Sequence, residues 1–194
     1  GALDSGVATG ALTHIKTLTA SSSATLSFVD GASSVVLDNT YPVYLFKFIN
    51  IHPATDSAQF KFNLSVDSGS NYNVAKTTTF FKAYYAEDDA GSALANEPSD
   101  TLANGTGSQV MGSVIDNDND ACWDGMMHLF NPSSTTFVKH FISTGASLGA
   151  TKYSYNDFVA GYGNTTSAVD AVQFTMSSGN IDAGTIKLYG IKDA

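Results

Sequence analysis

The densest group of potential metal ligands is an acidic run, DNDND, that begins at Asp116. Its alternating carboxylates, Asp116, Asp118 and Asp120, could hold a hard cation such as Ca²⁺, because hard cations prefer oxygen ligands. The run departs from the EF-hand loop, since Ala121 occupies the position of the invariant Gly and Met127 that of the bidentate Glu. Two interpretations stay open: a solvated acidic loop, and a Ca²⁺ site formed by the three aspartates.

No other set of residues predicts catalysis. Cys122 is the single cysteine, and its position beside Trp123 and an apolar run favours a buried structural thiol. The four histidines lack the spacing of zinc ligands, and neither a GxSxG elbow nor a complete glycine-rich phosphate loop occurs. We therefore expect no catalytic residues and no cofactor beyond the possible Ca²⁺, and we rank a hydrolase last among the functions considered.

Several aromatic residues offer a second kind of site. An aromatic face combines apolar area with a polar group, so it can stack on a sugar ring, but the same residues more often fill a core or an interface. The candidates for a sugar-binding platform are Tyr84, Tyr85, Trp123, Tyr153, Tyr155 and Tyr162.

The charge balance limits the partners. The net charge is −9, the pI is about 4.5, and all nine basic residues are Lys. Arg is the residue that grips phosphates with two parallel hydrogen bonds, and it is absent from this sequence. We expect no binding to nucleic acid or to an anionic membrane. No apolar run reaches the roughly 18 residues that a transmembrane helix needs.

Short β-branched and aromatic runs, separated by Gly, Asn, Asp and Ser, dominate the chain. In 59–66 every second residue is apolar, which is typical of a strand with one face in a core. The pattern predicts an all-β, antiparallel sandwich or barrel of about ten strands. These strands are predicted at 24–29, 34–37, 43–51, 59–66, 77–86, 126–130, 135–143, 154–162, 171–176 and 185–191.

Two segments lack this pattern. Residues 1–20 read as an extended N-terminal arm or edge segment, and their start lacks the charged and apolar regions of a secretory signal. Residues 87–121 are polar and glycine-rich, which predicts one long loop region. A loop of that length usually has a function or is disordered until a partner orders it. We expect residues 21–194 to form a single domain.

Four motifs carry a resemblance to known proteins. FTMSSGNIDAGTIKLYGI at 174–191 resembles the closing strand pair of jelly-roll domains in virion proteins of tailed phages. SGVATGALTHI at 5–15, FINIHPATD at 48–56 and LFNPSSTTFVKH at 129–140 are similar to a largely uncharacterised family of structural proteins from marine phages. The resemblance implies a jelly-roll-like β-sandwich without catalytic residues, located in the virion and assembled in the host cytoplasm.

We therefore expect a non-enzymatic virion protein that decorates or stabilises the capsid or forms part of the tail. Its partners would be the major capsid or tail protein and further copies of the chain, with a trimer as the expected oligomer. Residues 1–20 would dock on neighbouring subunits, and residues 87–121 would face outward or toward another subunit. The alternative is a carbohydrate-binding jelly-roll module that recognises host-surface glycans.

Overall fold

A computed structural model describes residues 12–149 and 152–192. Among these residues regular structure consists almost entirely of strands, which are joined by turns and one short 3₁₀ helix, Pro98–Asp100. Every strand pairing is antiparallel. The strands are β1 (Leu12–Thr19), β2 (Leu26–Val29), β3 (Val43–Pro53), β4 (Ala58–Ser65), β5 (Lys76–Ala86), β6 (Ser92–Asn96), β7 (Gln109–Ile115), β8 (Trp123–Phe130), β9 (Lys139–Gly149), β10 (Tyr153–Gly163), β11 (Ala171–Met176) and β12 (Ile181–Ile191).

The strands form two sheets, as the predicted all-β sandwich requires. The larger sheet has eight strands in the order β1-β12-β3-β8-β9-β10-β5-β6, and the smaller has four in the order β2-β11-β4-β7. Within the described residues, no helix has both the length and the apolar character needed to cross a membrane.

Five of the strand pairs are nested in sequence. β5 pairs with β6, β4 with β7, β3 with β8, β2 with β11, and β1 with β12. Successive pairs alternate between the large sheet and the small sheet. The first half of the chain therefore pairs with the second half in reverse order, as the two arms of a hairpin do. In the large sheet, β9 and β10 lie between β8 and β5.

Aromatic side chains fill the space between the sheets. Phe48 lies at the centre, with ring centroids 5.4 Å from Phe60, 5.3 Å from Trp123 and 5.1 Å from Phe174. Most of these pairs have edge-to-face or tilted geometry, which aromatic rings prefer to a face-to-face sandwich. The small sheet supplies Phe60 and Phe174, and the large sheet supplies Phe48 and Trp123, so this cluster holds the two layers together.

Nine of the ten predicted strands are present, but the prediction at 34–37 was wrong. There the chain turns, with left-handed backbone at Ser33 and Ser34. The Val35 N–H bonds to the Ala32 carbonyl, and the Leu37 N–H bonds to Asp30. Val35 and Leu37 are nevertheless buried, which shows that the apolar pattern marked core residues rather than a strand.

The two segments that lacked a strand pattern contain strands. Residues 12–19 of the predicted arm form β1, which pairs with β12 at the edge of the large sheet; residues 1–11 lie outside the described residues. Residues 87–121 contain β6, the 3₁₀ helix and β7 rather than one continuous loop. Sequence reasoning overlooked β7 because it contains polar residues and a glycine. Gln109, for example, is fully buried, with bonds to Thr78 and to the Asp100 carbonyl.

Candidate functional site

The three aspartates of the candidate Ca²⁺ site lie in the loop between β7 and β8. The Asp118 N–H donates to Asp116 Oδ1 across 3.2 Å, and His52 Nε2 lies 3.2 Å from the Asp118 carbonyl oxygen. Asp120 lines a neighbouring cleft. In residues 12–149 and 152–192 no three His, Cys, Asp or Glu side chains come together in a group that could hold a metal ion. The Ca²⁺ site therefore remains a prediction from the sequence.

The neighbouring cleft has a volume of about 460 Å³ and lies at one end of the sandwich, where β3, β8 and β12 meet. His52 and Asp182 face each other in it, with Nδ1 and Oδ2 3.8 Å apart. Cys122 also lines it, and its thiol donates to Asp124 across 3.1 Å. Burial, together with the Asp124 carboxylate, raises the pKa of Cys122 to about 11. The thiol is therefore a poor nucleophile near neutral pH, since the thiolate is the reactive form.

The aromatic candidates for a sugar platform do not share one surface. Trp123 is fully buried in the core. Tyr84, Tyr153 and Tyr155 pack against one another, with ring centroids 5.4–6.1 Å apart. Tyr85 is exposed on the outer side of β5, and Tyr162 lies beside His140 on β9. A single stacking surface that uses all six rings is therefore absent.

The outer face of the large sheet is the feature that sequence reasoning missed. Here "outer face" means the solvent side of β3, β5, β6, β8, β9, β10 and β12, where every second side chain points away from the core. Ile142 of β9 is 54% exposed. Phe81 and Phe158 stack beside it, with ring centroids 4.9 Å apart and ring planes 8° apart. These side chains and their small neighbours line an apolar groove of about 300 Å³.

Charge is scarce across the outer face. Lys47 and Lys187 lie opposite each other on β3 and β12. Within the described strands, the carboxylates on this side are Asp124 at the start of β8 and Asp182 at the start of β12. The other carboxylates described are buried, like Asp157, or lie at strand ends and in loops, as in the acidic run from Asp116. A molecule whose net charge is −9 thus exposes an apolar surface to solvent.

β6 continues the outer face to a sheet edge that no other described strand pairs with. Its sequence, SALAN, contains no charge and no proline, and Leu94 is 74% exposed. Sheet edges are usually protected by charges, prolines or bulges, because an open edge can pair with another chain. The sequence FFKAYY of β5 could have indicated this surface. Neighbouring residues of a strand point to opposite sides, so one aromatic of each adjacent pair must lie on the outer face.

Comparison with known proteins gives no relative: no protein-family model, no curated protein and no solved structure matches the chain.

Proposed function

We propose that this chain is a non-enzymatic structural subunit of a tailed-phage virion, which decorates the capsid or forms part of the tail. It acts by binding copies of itself and a capsid or tail protein. The motif resemblance supports the virion context of this proposal, and an exposed apolar face of the large sheet supports attachment through subunit contacts.

The nested strand pairs support the jelly-roll part of this proposal. A jelly roll is a double sheet of antiparallel strands built from Greek keys. Pairs that alternate between two sheets, from β5·β6 outward to β2·β11, are the arrangement that such a winding would produce. In this proposal β9, β10 and the outer pair β1·β12 would be additions to the jelly roll, which bring the large sheet to eight strands.

The outer face is the observation that carries the proposal. A large exposed apolar patch on a soluble protein usually marks an interaction site. A second copy of the chain is the occupant that we propose, because the residues that line the apolar groove are all uncharged, so two such grooves can pack on each other without opposing like charges. Elsewhere, the net charge of −9 opposes close packing of copies. Association through Ile142, Phe81 and Leu94 would bury the apolar groove and cover the β6 edge.

The molar mass of the purified protein, measured by light scattering during gel filtration, tests this surface. Ile142→Asp places a carboxylate at the centre of the outer face and should convert the oligomer to a monomer. Val66→Asp is the matched control, because Val66 is also exposed, at 38%, but follows β4 of the small sheet. A wild-type monomer, or an oligomer that survives Ile142→Asp, would count against the proposed interface.

Imaging of intact particles with a labelled chain tests the virion location. The label should appear on the capsid or the tail. A glycan array tests the alternative function: saturable binding of one sugar would favour the carbohydrate-binding module, whereas a purely structural subunit should give no such signal.

A further inference from the structure

Lys76 and Asn63 form an unusual contact in the interior. Lys76 begins β5 of the large sheet, Asn63 lies in β4 of the small sheet, and both are buried. The Lys76 Nζ lies 2.5 Å from Asn63 Oδ1 and 2.7 Å from the Val74 carbonyl oxygen. Among the described residues Lys76 forms no ion pair with a carboxylate. An amine is thus held against a carboxamide without a counter-charge.

The carboxamide of Asn63 is fixed on both sides. Its Nδ2 donates to the carbonyl oxygens of Tyr72, at 2.6 Å, and Thr106, at 3.0 Å. Its Oδ1 accepts the backbone N–H of Leu64 at 2.9 Å. This N–H donor polarises the carboxamide, and it would stabilise negative charge on Oδ1 if a nucleophile attacked Cγ.

We propose that Lys76 and Asn63 react to form an intramolecular isopeptide bond. The neutral Lys76 amine attacks Asn63 Cγ, so the Nζ–Cγ bond forms and the Cγ–Nδ2 bond breaks. Nδ2 leaves as ammonia and takes one proton from Nζ. The products are a secondary amide and free ammonia, and neither an oxidant nor a second substrate is needed.

The surroundings favour the neutral amine that this reaction needs. Burial lowers the pKa of Lys76 to about 8, because a charged ammonium is poorly solvated in the interior. The neighbourhood of Lys76 is also apolar: Gly163 pairs with Lys76 on β10, and the side chains of Leu64 and Val74 both lie beside that glycine. Holding the reacting groups in contact also removes much of the entropic cost of a bimolecular step. Since none of the hydrogen bonds described joins a carboxyl group to Lys76 or Asn63, we expect the bond to form slowly.

The bond would join the two sheets covalently. It would close a loop from residue 63 to residue 76 and would keep β4 attached to β5 when the core loosens. A cross-link within the chain restricts the unfolded state, as a disulfide does, but it resists reduction. Cys122, the single cysteine, cannot supply an internal disulfide.

Mass spectrometry of the full-length purified chain tests the proposal. After prolonged incubation at a pH above the pKa of Lys76, the intact mass should be lower than the sequence mass by one ammonia. Protease digestion should then yield a branched peptide that joins Lys76 to Asn63. A chain that keeps its sequence mass and gives both peptides unlinked would overturn the proposal.

Two controls separate this bond from other losses of ammonia. Succinimide formation at Asn104-Gly105 would give the same change in mass, but it would persist in Lys76→Arg and would give no branched peptide. Lys139→Met is the matched control, because Lys139 is also buried but its Nζ contacts only the carbonyl oxygens of Phe137 and Thr165 in the described structure. The branched peptide should remain in Lys139→Met and be absent from Lys76→Arg. Its loss from both variants, or its presence in both, would contradict the assignment.

Discussion

Trp123 and Asp157 are joined by a hydrogen bond in the interior of the sandwich. The indole Nε1 donates to Asp157 Oδ2 across 3.2 Å, and both residues are fully buried. Ser113 of β7 also donates to Asp157, through its N–H and its hydroxyl. A buried carboxyl therefore links β7, β8 and β10 at the point where the two sheets meet.

This carboxyl predicts a pH-dependent contribution to stability. Burial raises the pKa of Asp157 from 3.8 to about 6, against the opposing effect of its hydrogen bonds. Between these pH values the folded state binds more protons than the unfolded state, so this contribution to stability falls as the pH rises from about 4 to about 6. Asp157→Asn removes the titration. We expect its melting temperature, relative to wild type, to rise through this window and then level off.

Thermal melts of both proteins across this pH range measure the effect. Asp38→Asn is a control of opposite sign, because hydrogen bonds from Thr40 lower the pKa of Asp38. That variant should lose stability relative to wild type as the pH rises through the acidic range. A difference between Asp157→Asn and wild type that does not change with pH would show that the buried carboxyl stays ionised.

The packing of the Trp123 ring against nearby glycines predicts where a side chain can be added and where it cannot. A Cβ at Gly145 would overlap the six-membered part of the indole, so Gly145→Ala requires the core to shift. Overpacking of this kind costs about 1–3 kcal/mol, which should lower the melting temperature by several degrees. Gly107→Ala is the control, because a Cβ there meets no heavy atom within 4 Å. Equal melting temperatures for the two variants would contradict the packing described for Trp123.

The reactivity of Cys122 should depend on Asp124. The carboxylate adds to the effect of burial in raising the thiol pKa, through its hydrogen bond and its charge. Asp124→Asn keeps the shape but removes the charge, so more thiolate should form at mildly alkaline pH. We expect the rate of reaction with a disulfide reagent to rise severalfold. Asp182→Asn, in the same cleft, should leave the rate unchanged; a similar rise in both variants would point to general opening of the cleft.

The candidate Ca²⁺ site has a simple test. Because the aspartates do not come together in the structure, we expect the melting temperature to be the same with Ca²⁺ as with a chelator. A ligand that binds only the folded state at 100 times its Kd would add about 2.7 kcal/mol. A rise in melting temperature with Ca²⁺ that disappears in Asp118→Asn would establish the site.

The sequence predicted the fold wherever alternation matched burial. In β4, Phe60, Phe62 and Leu64 face the core in the order that the period of two requires. The pattern failed at Val35 and Leu37, where buried residues sit on turns, and at β7, where the polar Gln109 is buried because specific partners satisfy it. Hydropathy records which side chains avoid water, but it does not record which backbone conformation buries them.

The candidate sites were harder to predict, because they depend on contacts between distant residues. Lys76 and Asn63 come into contact only when the small sheet, which contains β4, packs on the large sheet, which contains β5. The apolar groove on the outer face needs Phe81 of β5, Phe158 of β10 and Ile142 of β9 in register. Neither arrangement leaves a local motif. The acidic run from Asp116 is a conspicuous motif, and the Ca²⁺ site that it suggests stays a prediction.

The nested pairing of strands also constrains how the chain is made. β1 can pair with β12 only after nearly all of the described residues have been synthesised, and the same delay applies to β2 and β11. During translation, the backbone N–H and C=O groups of β1 and β2 therefore lack their strand partners until β11 and β12 have been made. Folds dominated by such distant pairings are slow to form, and their intermediates tend to aggregate. Recombinant yield should therefore improve when the cell is cooled or when chaperones are abundant.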